Sequence, residues 1–531
     1  MWSVELKVEI TSIQYPVSPQ EDRGTMKTSG FTYHQLVSYD RGKMRGHSMD
    51  WEHQPLVYKH YPGVDPLLLP QDVFLPEIRL SFLLKRPGIA SASADIDLES
   101  LSKIFRLTYS LTAKARHAGG DVYYRSVASA GALYPVEIYV ATEGVAQLRD
   151  GLYHFSIARH GLSLLRPGCF TLSSKRETGG LDMIPPALTF FITAIFFRSA
   201  WKYRERSYRY HLLDAGHLLE NLILALTALG LPNVVTRDFD DDRINRLLGV
   251  DEEREVCLAI YKTPERTPYD REVLEEINGL GDTIRNTSRV SEKETDYPAV
   301  REIHRAGAAL VSRPGSVPPM VALLGPVPQE WRRLDGVDPW PETLSYVEAV
   351  IGRRSRRNFV KRPISKACLT ALLDGLCGGR DVDPEEGTSC PHPSIVIGLL
   401  VGNAEGWDPG FYLLDEASCS CALINHGFFL DRMAHVCLDQ MWTSHAAIHV
   451  VFLSNLEAVD RIWGPRGYRY AMMAAGQMGE RLYLMAEAMG LGCCGIGAFY
   501  DTEATALLGL NPASRLLYLV TVGPIASIQT R

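Results

Sequence analysis

The sequence predicts an α+β protein built from two copies of one domain. Three observations carry this: a repeat at an offset of 260 positions, a long apolar helix pattern inside the repeat, and short β-branched runs around it that do not alternate regularly with helices. At 531 residues the chain is long for one core, which a duplication accommodates.

The repeat aligns RSYRYHLLDAGHLLENLILALTALGL, from Arg206, with RGYRYAMMAAGQMGERLYLMAEAMGL, from Arg466. Its register holds without a gap to Gly249 and Gly509, with 17 identities in 44 positions where average composition gives about 3. Upstream, at an offset of 268, LSKIFRLTYSL at Leu101 shares the apolar pattern of LTALLDGLCGG at Leu369. The division that follows is an N-terminal segment over 1–74, a first domain over 75–262, a connector over 263–339 rich in Pro, Ser, Arg and Glu, and a second domain over 340–531. Fused copies imply a pseudo-twofold pair, the covalent counterpart of a symmetric dimer, with further self-association open.

Within the repeat, Leu212, Leu213, Leu218, Leu219, Leu222, Ile223 and Leu226 recur at helical spacing and Gly230 ends the pattern. VEIYVAT after Pro135, LTFFITAIF from Leu188 and LLYLVTVG from Leu516 predict strands. LSYVEAVIG, before Arg353, predicts a further helix.

Composition excludes several function classes. Hydrophobic residues at 46%, charged residues at 22% and a net charge of -7 are ordinary globular values and give no electrostatic case for nucleic acid. The opening MWSVELKVEITSIQYP lacks the basic head and apolar core of a signal peptide, and no run of about 18 apolar residues occurs, so the chain reads as soluble and cytoplasmic. The 10 cysteines form no spaced zinc framework, so no metal is expected.

Four stretches can carry chemistry. RRSRRNF, Arg353 to Phe359, gathers four guanidiniums and a hydroxyl suited to a phosphate, although a solvated basic patch would look the same. Its counterpart KRPGIAS, Lys85 to Ser91, is not arginine-rich. RSVASAGALYPVEIYV, from Arg125, holds small residues that let backbone amides approach a flat or anionic ligand, or simply form a tight turn; its counterpart near Ser389 lacks the SAGAL core. GLGCCGIGAF, from Gly490, predicts a glycine-rich turn after the long helix, where the first copy reads GLPNVVTRDF. Finally KYRERSYRY, from Lys202, matches IWGPRGYRY, from Ile462, except that Lys202 and Tyr203 are lost together. Such a pair serves as acid and base only with shifted pKa values, and adjacent helical side chains diverge by about 100°, so joint action needs the end of an element.

Together RSVASAGALYPVEIYV, KYRERSYRYHLLDAGH and RRSRRNF resemble the nitroreductase superfamily, in particular its SagB-type, McbC-like branch of azoline oxidases; FTYHQLVSYDRG and DWEHQPLVYKHYPG resemble the N-terminal stretch of that branch. The resemblance implies a nitroreductase-like fold and one FMN per chain at the interface between the copies. It assigns the FMN phosphate to Arg353, Ser355 and Arg357, and the flavin N5 and O4 edge to Gly495, Ile496 and Gly497. The opposing copy would contribute Ser129, Ala130, Gly131 and Leu133, although the family's proline and asparagine are here Ala128 and Leu133. It makes Lys202 and Tyr203 catalytic in oxidising a thiazoline or oxazoline of a peptide-derived substrate to an azole, with oxygen as the final acceptor and a cyclodehydratase or carrier protein as partner. The competing expectations are an NAD(P)H-dependent nitroreductase or quinone reductase, and a flavin-less scaffold for a cyclodehydratase.

Overall fold

The computed structural model describes residues 28–44, 46, 48–85, 96–117, 120–170, 187–231, 234–263, 279–309, 317–377 and 392–526. The counterparts expected at Arg86 to Ser91 and at Ser389 to Pro391 lie outside these residues. Among the described residues, no helix is long and apolar enough to cross a membrane.

Two seven-stranded antiparallel sheets share one topology. In spatial order the first runs Leu67–Leu68, Gly161–Pro167, Gly151–Ser156, Val136–Glu143, Ala187–Ile195, Glu255–Thr263 and Val234–Thr236. The second runs Arg332–Arg333, Ser420–His426, Gly410–Asp415, Val396–Val401, Ile448–Asn455, Ser514–Gly523 and Gly492–Ile496. Even a bulge is duplicated, between Ile192 and Thr193 and between Phe452 and Leu453. The expected α+β tandem duplication is thus the architecture. One difference from the sequence reading is local: the glycine-rich stretch after the second long helix is a turn only at Gly490, with φ 70°, and from Gly492 it is an edge strand paired with Ser514–Gly523. Glycine favours turns in isolation, but here the ladder partner decides.

The two long helices, Ser207–Ala228 and Gly467–Ala488, are each 22 residues and cross at equivalent glycines. A Cβ on Gly216 would overlap the Met473 carbonyl and stand 2.9 Å from Gly476 Cα; one on Gly476 would overlap the Leu213 carbonyl and stand 3.1 Å from Gly216 Cα. Only a missing side chain permits this approach. One apolar core runs through both copies, from Leu212, Leu218 and Leu222 to Met472, Met478 and Leu482.

The arginines shared by the repeat are cross-copy clamps. Arg206 and Arg209 reach Asp501 of the other copy at 2.8 and 2.6 Å, while Arg466 and Arg469 reach Asp241 at 2.9 and 2.7 Å. Both clusters are capped from outside the repeat seen in sequence. Arg206 and Arg209 donate to the carbonyls of Val37 and His34, near the helix Gly30–Leu36; Arg466 and Arg469 donate to those of Gly307 and His304, near the helix Pro298–Ala306. Tyr468 bonds the His34 ring at 3.0 Å and Tyr208 the His304 ring at 3.1 Å. The twofold relation therefore extends into the N-terminal segment and the stretch between the copies.

Burial would raise the Asp501 carboxyl, but Arg206 and Arg209 hold it well below the usual carboxylate range. Asp501→Asn strands two buried guanidiniums and is expected to cost about 3–5 kcal/mol in denaturant unfolding. The depressed carboxyl contributes its stability above the unfolded-state value and loses it as pH falls through the folded-state value. The gap between wild type and variant should therefore hold from neutral pH down and close only below about pH 4.

Candidate functional site

The site forms where the first copy's Lys202–Tyr203 end meets the second copy's edge strand. The helix Phe196–Tyr203 stops at Tyr203 because Arg204 takes φ 51°, ψ -133°, and a 3-10 turn over Arg204–Arg206 leads into the long helix. Lys202 and Tyr203 both sit in the last turn of this helix, and the tips of their side chains come together at Gly131. In the second copy the equivalent position is Gly464, at φ 60°. A positive φ suits glycine and strains arginine, so the strain sits in the copy that keeps Lys202 and Tyr203.

The small-residue segment folds against this pair. Gly131, Ala132 and Tyr134 all have positive φ, at 66°, 54° and 47°. A methyl on Gly131 would stand 2.8 Å from Tyr203 Oη and 3.3 Å from Lys202 Nζ. Ser129 and Ala130 are half-buried beside them. Leu133, where the resemblance has asparagine, is buried with Ile195, Phe197, Trp201 and Val290, and supplies packing.

From the second copy, the segment after the capped helix Tyr346–Gly352 runs along the free edge of Gly492–Ile496. Ser355 bridges Cys493, and the Arg356 amide donates to the Cys493 carbonyl at 2.9 Å. Ser355 and Arg357 are exposed, whereas Arg353 is 3% exposed and donates to the carbonyls of Ser126 and Arg125 at 2.7 and 2.9 Å. Arg353 thus ties the arginine segment to the strand that feeds the small-residue loop. Gly495 and Gly497 are glycine for steric reasons: a Cβ on the first would overlap the Tyr518 hydroxyl, and one on the second would stand 2.6 Å from the Tyr210 ring. Tyr483 Oη accepts the Gly495 amide at 2.7 Å and bonds Ser355 Oγ at 2.9 Å. Ile496 is buried in the second copy's core.

These parts are contiguous. Tyr203 packs on Tyr210 with ring centroids 4.4 Å apart, and Tyr210 donates to the Gly497 carbonyl at 3.2 Å. Burial lowers the Lys202 pKa and the Arg357 guanidinium lowers it further, so Lys202 faces the arginine segment. Among the described residues Lys202 Nζ has neither a hydrogen bond nor an ion pair; its near contact is the Tyr203 ring, 5.5 Å from Nζ to the centroid. A half-buried ammonium with no counter-ion among the described residues is disfavoured relative to one in water.

The twofold-related place is different. Ile462 and Trp463 stand for Lys202 and Tyr203, and Arg237 stands for Gly497. The Arg237 side chain is buried and donates to Gln477 Oε1 at 2.6 Å, on the second long helix. One place is lined by glycine and the other filled by a guanidinium.

Four buried residues at the open place escaped the motif reading. Asp214 accepts hydrogen bonds from Ser129 Oγ and the Ala130 amide, and burial pushes its carboxyl up to about 7. His217 bonds Glu480 through Nδ1 at 2.5 Å and Tyr518 through Nε2 at 3.1 Å. Tyr483 and Tyr518 complete the set. Their twins are Ala474, Gln477, Ile223 and, by strand register, Ala259. For three of the four, all but His217, the sequence signal is a polar group in one copy that is apolar in the other, the same pattern that marks Lys202 and Tyr203.

Lys202 reactivity tests this geometry without any ligand. Acylation of Lys202 across pH, followed by peptide mass spectrometry, should give a midpoint below the ordinary lysine value of about 10.4. Arg357→Gln removes a like charge and should move that midpoint upward.

Comparison with known proteins identifies the family and the fold. The model of the nitroreductase family matches residues 91–261 and 412–524, over half of the chain. The solved structure of a nitroreductase-type protein from Anabaena variabilis superposes with a TM-score of 0.70 and 24% identity, over 94% of this chain and 100% of that one, which shows the fold. The trifolitoxin-processing protein TfxB of Rhizobium leguminosarum bv. trifolii is 29% identical over 27% of this chain and 40% of its own length. The microcin B17-processing protein McbC of Escherichia coli is 28% identical over 24% of this chain and 49% of its own length. The chain therefore spans less than half of either processing protein.

Proposed function

Because the chain belongs to the nitroreductase family, we propose that it is an FMN-dependent oxidase that converts azoline rings, thiazoline or oxazoline, to azoles in a peptide natural product. The observation that carries this reading is the one-sided site. Lys202 and Tyr203 of one copy lie within electrostatic reach of Arg357 of the other, and Tyr203 packs on Tyr210, which donates to the Gly497 carbonyl, while at the twofold-related position Arg237 is buried on Gln477. The similarity to two peptide-processing proteins supports a peptide-derived substrate.

The residues fit FMN. Ser355 and Arg357 are exposed at the end of the edge strand and offer a hydroxyl and a guanidinium to a phosphate. The backbone of Gly495, Ile496 and Gly497 would meet the ring edge, with Ser129, Ala130 and Gly131 opposite. Arg353 would brace the phosphate segment from beneath, and Leu133 would hold the loop by packing.

FMN, when bound, would supply the acceptor for a hydride, with oxygen as the final oxidant. The chain's own part is the proton. Aromatising an azoline removes two electrons and two hydrogens from adjacent ring atoms, one leaving as hydride and the other as a proton. Lys202, its ammonium disfavoured by burial and by Arg357, would take that proton, with the Tyr203 hydroxyl beside it to orient the ring or relay the proton. The packed loop at Gly131 would hold both groups and keep water from them. A cyclodehydratase that forms the azoline would be the partner, and a cytoplasmic location would suit such an assembly.

Flavin stoichiometry and aerobic turnover of azoline peptides test this reading. The expected result is one FMN per chain, absorbing at about 450 nm. Lys202→Ala and Tyr203→Phe should keep the flavin and lose about 10²–10⁴-fold in kcat. A colourless protein, or undiminished oxidation in both variants, refutes the proposal. Rapid flavin reduction by NAD(P)H with no azoline turnover would instead support a nitroreductase or quinone reductase.

A further inference from the structure

We propose that Asp214 is a positioning residue of this site: its carboxylate fixes the Ser129–Gly131 loop, and through it both the hydrogen-bond polarity of the Ser129 hydroxyl and the seat of the Lys202–Tyr203 pair. The relevance of that pair to catalysis rests on the function proposed above. The clamp itself rests on geometry.

Asp214 lies on the first long helix, 5% exposed, two residues before the glycine at which the helices cross. Ser129 Oγ donates to its Oδ2 at 2.5 Å and the Ala130 amide donates to its Oδ1 at 3.2 Å. Among the described residues it has no cationic partner, so these two donors compensate its buried charge. Burial pushes the carboxyl up to about 7, which leaves the ionised form available at neutral pH.

The loop needs such a hold. Positive φ at Gly131, Ala132 and Tyr134 is a conformation that two of these three residue types adopt only under constraint. The same turn presses Gly131 against Tyr203 Oη and Lys202 Nζ, so loosening it opens the cover over both. In the second copy, where the reactive pair is lost, the position of Asp214 is Ala474.

The carboxylate also decides which way Ser129 points. Ser129 Oγ accepts the Tyr134 amide at 2.9 Å and gives its one hydrogen to Asp214. What it can offer a ligand is a lone pair, so it selects a donor N–H on the facing ring edge. Asp214→Asn keeps the shape and an acceptor for Ala130, but its amide donates to Ser129 and turns the hydroxyl hydrogen outward. Asp214→Ala removes the hold altogether.

The two effects separate experimentally. On flavin-free protein, Lys202 acylation at pH 8, normalised to exposed Lys43, should fall about tenfold in Asp214→Ala as released Lys202 regains an ordinary ammonium, a change of about one pKa unit. Ser129→Ala, which cuts the same clamp from the loop side, should reproduce that fall if Asp214→Ala does not fold. Asp214→Asn should stay within about twofold of wild type in Lys202 reactivity yet bind FMN about tenfold more weakly. Lys202 reactivity unchanged in Asp214→Ala and in Ser129→Ala overturns the clamp, and FMN affinity unchanged in Asp214→Asn overturns the polarity assignment. Should the wild type turn over no azoline, the proposed function falls while the acylation comparison still decides the role of Asp214.

Discussion

The contact on which the rest depends is the crossing of two 22-residue helices at Gly216 and Gly476. With no side chain at the crossing, each backbone approaches the other's carbonyls, and every residue one or two turns away is fixed relative to the opposite copy. The Arg–Asp clamps follow at one end of each helix, where Arg206 and Arg209 meet Asp501 and Arg466 and Arg469 meet Asp241. Their burial makes them costly to break and so specific for one docking geometry. The site follows on the faces between, where Asp214 and His217 of one helix look across to Glu480 and Tyr518.

A perfect duplication would create two equivalent sites. This chain keeps the symmetric contacts that hold the copies together and lets the sites diverge. Polar groups accumulate at one place, as Lys202, Tyr203, Asp214, Tyr483 and Tyr518, and are replaced at the other by Ile462, Trp463, Ala474, Ile223 and Ala259. The exchange is physically sensible, since a buried polar cluster without a ligand costs free energy, whereas the apolar set pays nothing and Arg237 with Gln477 closes the gap. A covalent tandem can do this because the two copies mutate independently, which a homodimer's copies cannot.

Much of this was legible in sequence. The 260-position offset exposed the duplication and the α+β class, and the paired loss at Lys202 and Tyr203 marked where the two copies differ in polar side chains. What the repeat could not reveal was contact across it. That Asp501 pairs with Arg206, or that His34 and His304 are equivalent, depends on the docking of the copies and on segments whose sequences no longer align. The edge strand Gly492–Ile496 was hidden by its glycines, which signal a turn until their ladder partner is known. Arg353 and Leu133 show the converse limit: a motif match gives residue type, while burial against Ser126 or Trp201 decides which face the side chain serves.

The backbone at Arg204 adds a last step. Its φ of 51° is the conformation that the twin satisfies with Gly464. An L-residue held at this φ with ψ -133° costs about 1–3 kcal/mol relative to an unstrained one. If the break served only to join two helices, glycine would serve better in both copies. Arginine at this position places the backbone strain in the copy that carries Lys202 and Tyr203, one residue beyond Tyr203, where it ends the helix. The opposing loop at Gly131 to Tyr134 is strained in the same sense and presses on the same two side chains. Two strained segments closing on one pair from both sides are held by the Asp214 carboxylate on one side and by the Arg206–Asp501 clamp on the other, so the stability of the interface is spent on the geometry of the site.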